Sequence, residues 1–141
     1  MISIADMRNI AAAEKEAEEK AKEAKFKKDL AMHRDKIKKV QPKVVNYIQQ
    51  QIINAMKNNQ SQAGLHRYRM EKIFDGILRY PSESNMIYHF LLHPNFEAHS
   101  ALDAAFKEMA MEIRDDLFKA GVKEICKGGP FAGDPSVVVI F

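Results

Sequence analysis

Apolar positions at the start of the chain recur at helical spacing, but they form two stripes rather than one. Ile10, Ala13, Ala17, Ala21 and Ala24 make the first, and Phe26, Leu30, His33, Ile37 and Val40 make the second. Steps of four, three, four and three in the second stripe match a coiled-coil seam. At about 100° per residue the two stripes lie about 200° apart, so no single partner covers both. Alanine offers only one methyl to bury, which makes the first stripe a solvated face and the second a docking seam. The residues between them favour a helix. Ala11 to Lys28 is almost entirely Ala, Glu and Lys, the strongest helix formers. Three acid-before-base pairs (Glu16/Lys20, Glu18/Lys22 and Glu23/Lys27) add about 0.2–0.5 kcal/mol each.

Beyond this arm the pattern changes. Pro42 suits the first turn of a new helix, whose apolar face is Val44, Val45, Ile48, Ile52, Ala55 and Met56, ending over Asn58 to Gly64. Leu65 to Phe74 is read as a strand, with Asp75 and Gly76 as a two-residue turn, although Met70, Ile73, Phe74 and Ile77 also fit helical spacing. After Pro81 and Ser82, Glu83 to Leu92 reads as a short helix stopped before Pro94. Leu102, Phe106, Met109, Ile113 and Leu117 define an amphipathic helix with a capping box at Ser100/Asp103 and a left-handed glycine, Gly121, at its far end. Val122 to Lys127 and Val137 to Phe141 predict a terminal β-hairpin around a Gly/Pro-rich loop. The expected fold is α+β: a long charged N-terminal helix, then a compact domain of about three helices on a small, mainly antiparallel sheet with a C-terminal hairpin. The expected division is a charged helical arm over 1–41 and a compact domain over 42–141.

Composition narrows the classes. A chain of 141 residues is one domain in size, and the residues after the arm can bury a core without covalent staples. Cys126 is the single cysteine, which excludes an internal disulfide and fits a reducing compartment. Met1 to Ile10 mixes Asp6 and Arg8 with its apolar residues and does not read as a secretory signal. The longest apolar stretch, Val137 to Phe141, is far short of the ~20 residues of a membrane helix. The cytoplasm of the producing or host cell is the expected location, with no membrane partner.

Charge is segregated along the chain. Residues 25–43 carry Lys25, Lys27, Lys28, Arg34, Lys36, Lys38, Lys39 and Lys43 against Asp29 and Asp35, a local excess of six positive charges. From Val44 onward, ten basic residues face eleven acidic ones. A cationic arm on a near-neutral body points to an anionic partner or to a larger assembly. Each lysine that neutralises a phosphate releases condensed counterions, so such an arm binds nucleic acid salt-dependently and without sequence preference. Arg67 and Arg69, on one face of the expected strand, are further candidates for phosphate contact, with Tyr68 packing inward.

The other constellations are weaker. His89 and His93 stand four apart, with His99 beyond, which is the spacing of a zinc-ligand set. Phe90, however, occupies the place where the zinc-protease helix carries its glutamate. The loop from Gly128 to Pro135 lacks the Lys-Ser/Thr pair of a phosphate loop and reads as a connection whose Phe131 tucks against the body or a partner. A lone cysteine is by default a small buried hydrophobe.

These features are best joined by a non-enzymatic accessory binding protein. It would self-associate or dock through Phe26, Leu30, Ile37 and Val40 and contact nucleic acid with the basic residues named above, using no cofactor and no metal. A second reading is a structural subunit of a larger assembly without nucleic-acid contact, its arm lying across the acidic face (Glu108, Glu112, Asp115, Asp116) of a neighbour. Eight methionines, no tryptophan and the lysine-rich extension give that assembly a phage-like character. A third is a metal-dependent enzyme built on His89, His93 and His99.

Overall fold

In the computed structural model, which describes all 141 residues, one helix dominates. Helix α1 runs unbroken over Ile4–Lys57, a length of about 80 Å at 1.5 Å per residue. It begins at Ser3, whose hydroxyl accepts a hydrogen bond from the Asp6 backbone N–H at 3.1 Å, satisfying one donor of the open first turn. Residues 4–28 stand clear of the body and are exposed throughout, an arm of about 38 Å. From Leu30 onward the helix joins the core.

Pro42 therefore does not begin a new helix; it lies inside α1. A proline in a helix interior deletes one backbone hydrogen bond and crowds the carbonyl four residues earlier, at about 3 kcal/mol or more. Burial outweighs that cost. Ile37 and Val40 before the proline, and Val44 and Ile48 after it, are all buried on one face. At about 1.5–3 kcal/mol for each buried aliphatic side chain, these four keep the helix unbroken across the proline.

The body follows in a short sequence of elements. Strand β1 (Gln62–Leu65) leads to α2 (Arg67–Ile73), a 3₁₀ turn at Pro81–Asn85, α3 (Met86–Leu92) and α4 (Ala101–Lys119). Strands β2 (Glu124–Lys127) and β3 (Val137–Ile140) close the chain. The sheet is fully antiparallel in the order β1-β3-β2, with β3 central; Leu65 and Lys127 both stand opposite Val137. Val137 and Val139 alternate into the core together with Ala63 and Leu65, as a two-residue period requires. Phe74, Phe90 and Phe106 fill the centre, Phe74 and Phe106 edge to face at 5.8 Å.

The α+β architecture, the long helix, the C-terminal hairpin and the caps of α4 agree with the sequence pattern. The Ser100 hydroxyl accepts from the Asp103 N–H at 3.1 Å, and Gly121 has φ +110°. Leu65 to Phe74 is corrected. Only Gln62–Leu65 is strand, and Arg67–Ile73 is helix, because Met70 and Phe74, four apart, both point into the core. Gly76, at φ +78°, ends that helical turn instead of joining two strands. Phe131 does not tuck against the body: it is 78% exposed on a turn closed by the Asp134 carboxylate, which accepts from the Phe131 N–H.

Candidate nucleic-acid interface

The register of α1 sorts its basic residues by direction. Taking about 100° per residue, the buried stripe of Ile37, Val40, Val44 and Ile48 has a flank on either side. Arg34 and Lys38 project on one flank, towards α4. There the Arg34 guanidinium holds both oxygens of Glu108 at 2.7 Å. Lys38 lies beside Glu108 and shares a cleft with Glu112. The acidic face of α4 is thus met in part by the chain's own arm.

Lys25, Lys28, Lys36, Lys39 and Lys43 project on the opposite flank, at steps that place them in one row over about 27 Å. All five are exposed. The only counter-charge bound to this row is Asp35, 3.4 Å from Lys39, and both side chains are more than 70% exposed, so water and salt screen the pair almost completely. Lys27, seven residues before Arg34, lies on the same flank as Arg34 and Lys38. One turn beyond Lys43 comes Tyr47, and the Arg69 guanidinium of α2 lies over its ring, 5.6 Å from the centroid. The row therefore continues from helix to helix, reaching about 33 Å from Lys25 to Tyr47.

Arg67 and Arg69 part company. Arg67 is paired to Glu71 at 3.1 Å, whereas Arg69 stays exposed and unpaired. Tyr68 is not packed inward but 74% exposed beside Arg69, because in a helix it is Met70 that turns to the core. Two buried hydroxyls fix this corner. The Tyr47 hydroxyl accepts from the His66 N–H at 2.9 Å, and the Tyr88 hydroxyl donates to the His66 carbonyl at 2.8 Å. Together they clamp the start of α2, which has no side-chain cap of its own. Desolvation is the main reason that both phenols resist ionisation.

The proposed docking seam is also corrected. Ile37 and Val40 are buried in the chain's own core and Leu30 packs against it, so these three are not available to a partner. Only Phe26, at 44% exposure, remains outside.

Glu108 is held below the ordinary carboxylate range by the hydrogen bonds from Arg34, partly opposed by desolvation and helped by the charges of Arg34 and Lys38. A carboxyl depressed in the folded state stabilises above its unfolded pKa, about 4.3 for Glu, and that stability is lost as pH falls through the folded value. Glu108→Gln should lower the thermal midpoint slightly at neutral pH. The two midpoints should converge in acid, as a pH series of melting curves would read out. A constant gap across the series would show that Glu108 acts through something other than its charge.

The histidines form an aromatic cluster. His89 packs edge to face on Phe96 at 4.6 Å and lies 5.1 Å from His93, while Phe96 stands between His89 and His99. Nowhere do three His, Cys, Asp or Glu side chains converge as a metal-ligand set. The Cys126 thiol is held above its usual value, first by its hydrogen bond to Glu124, the opposite of what nucleophilic activation requires. No helix is long and apolar enough to cross a membrane.

The lysine row thus defines the class of surface: an exposed, basic helical edge. Comparison of the chain with protein-family models, curated proteins and solved structures gives no match, which leaves the geometry to carry the functional reading. Tyr47 is the site feature that the sequence pattern missed, although the four-residue step from Lys43 to Tyr47 was a usable signal. Glu108 and Glu112 were expected to meet a neighbour's arm; the arm they meet is their own chain's.

Proposed function

We propose that the protein is a non-catalytic accessory protein that lays one edge of α1 along the phosphate backbone of a nucleic acid. The observation that carries this reading is the exposed row Lys25, Lys28, Lys36, Lys39 and Lys43, whose one ion pair, Lys39 with Asp35, is screened by solvent, extended by Arg69, on the edge facing away from the acids of α4. A row of about 33 Å matches about ten base pairs of duplex at 3.4 Å each. Lysine on a flexible stem contacts phosphate as a point charge, so recognition follows the backbone and not the base sequence. Tyr68, exposed next to Arg69, offers a stacking face to an unpaired base.

Salt is the deciding measurement. With six phosphate contacts, log affinity for duplex DNA should fall linearly against log salt with a slope of about −5, and unrelated duplexes of equal length should bind alike. A slope near zero would remove nucleic acid from the proposal.

A further inference from the structure

Two unpartnered apolar surfaces lie at opposite ends of α1. The first is at its start. Ile4, Met7 and Ile10 project from one side of the first two turns and are exposed to solvent, and the next fifteen residues, Ala11 to Lys25, contain no large apolar side chain. An apolar tip is thus carried on an Ala/Glu/Lys stalk. The second is a groove of about 640 Å³ between the last third of α1 and the C-terminal end of α4. Ile52, Ile53 and Met56 form one wall, Ile113 and Leu117 the other, and Phe141 borders it. Ile53 and Met56 are 44% and 55% exposed, although both belong to an otherwise apolar lining.

Charge says what fits the groove. Glu108, Glu112 and Asp116 follow one another at four-residue steps on α4. The first is bound by Arg34, the second shares its cleft with Lys38, and the third reaches the groove, to which α1 contributes apolar residues and Gln49 but no charged side chain. Asp116 is the only charged residue of the lining, and no cation pairs with it. The groove therefore suits an apolar helical face with a basic residue on its edge. The tip has that form, since Arg8 borders the face made by Ile4, Met7 and Ile10.

The tip cannot reach the groove of its own chain. Met7 and Ile52 are forty-five residues apart on one continuous helix, which separates them by about 68 Å. We infer that the groove receives the first turns of α1 from a second copy of this chain, with Ile4, Met7 and Ile10 between α1 and α4 and Arg8 against Asp116. The contact is head to tail. Each chain offers one tip and one groove, so the assembly grows until its rotation closes a ring, or continues as a filament. This inference is independent of the nucleic-acid reading, because neither surface includes the lysine row.

Two exposed double variants test it in nucleic-acid-free, full-length protein: Ile4→Asp with Met7→Asp in the tip, and Ile53→Asp with Met56→Asp in the groove. Light scattering should show the wild-type mass rising with concentration beyond two chains, and each variant, with unchanged circular dichroism, as a monomer. Mixed one to one, the variants should form a complex of two chains and stop there, because one functional tip meets one functional groove and the remaining pair is disabled. Arg8→Glu should weaken wild-type assembly at least tenfold, and Asp116→Lys on the same chain should restore it. A monomeric wild type, a groove variant that still assembles, or a mixture that stays monomeric would each overturn the inference.

Discussion

Replacing Lys28, Lys36 and Lys39 together by glutamine should weaken duplex binding by about 500-fold at 0.1 M salt. The magnitude follows from counterion release: each phosphate contact contributes about 0.9 to the slope of log affinity against log salt, hence about 0.9 log unit per contact at that concentration. Three contacts removed should also make the slope shallower by about 2.7. The matched control is Lys15, Lys20 and Lys22 to glutamine, which removes the same charge from a stretch where glutamates alternate with lysines off the row. That triple should bind nearly as wild type does in a fluorescence-anisotropy titration. Equal loss in both triples would mean that net charge, and not the row, governs association. All three row lysines are exposed, so the melting temperature should not change.

Phe106→Ala should cost about 3–5 kcal/mol of stability, a large part of the ~5–15 kcal/mol that holds a domain of this size folded. Phe106 is fully buried on α4 and meets Phe74 edge to face, so truncation loses both transfer free energy and aromatic contact and leaves a cavity between helices. Its counterpart is Phe26→Ala, on the part of α1 that leaves the body, which should change stability by less than about 0.5 kcal/mol. Urea denaturation of the two variants reads the difference directly. Similar costs would mean that the arm is held by contacts through Phe26 and does not stand free. The pair also separates two phenylalanines that look alike in sequence, since each begins or continues a run at steps of four and three.

Much of the fold was legible because it rests on local rules. A run of β-branched residues marked β3, steps of three and four marked α4, and Ser100 and Gly121 marked its ends by capping chemistry that needs no distant partner. The middle segment was misread for a physical reason. Leu65 to Phe74 takes in only the last residue of the strand Gln62–Leu65 and then a seven-residue helix, and so short a helix shows too little periodicity to be distinguished from a strand. Pro42 was misread because local preference and burial disagree there, and burial is larger.

For the candidate site, the positive segment was visible as composition, but its direction was not. Eight basic residues between Lys25 and Lys43 look equivalent along the chain. Only α4, brought beside α1 by the core, separates Arg34 and Lys38, drawn to Glu108 and Glu112, from the five lysines left on the other edge. Likewise Ile37 and Val40 form a perfectly regular seam, and nothing in that regularity says whether the surface covering them belongs to another chain or to their own.

The sequence by itself determined that this protein has a long charged helix, an α+β body and a surplus of positive charge on one segment, because propensity, periodicity and charge are properties of neighbouring residues. Only the tertiary structure decided that the helix passes through Pro42, that its apolar seam is used internally, and which lysines remain free. Those outcomes depend on which surfaces exclude water together and which charges meet across them, and both are set by residues far apart in the chain.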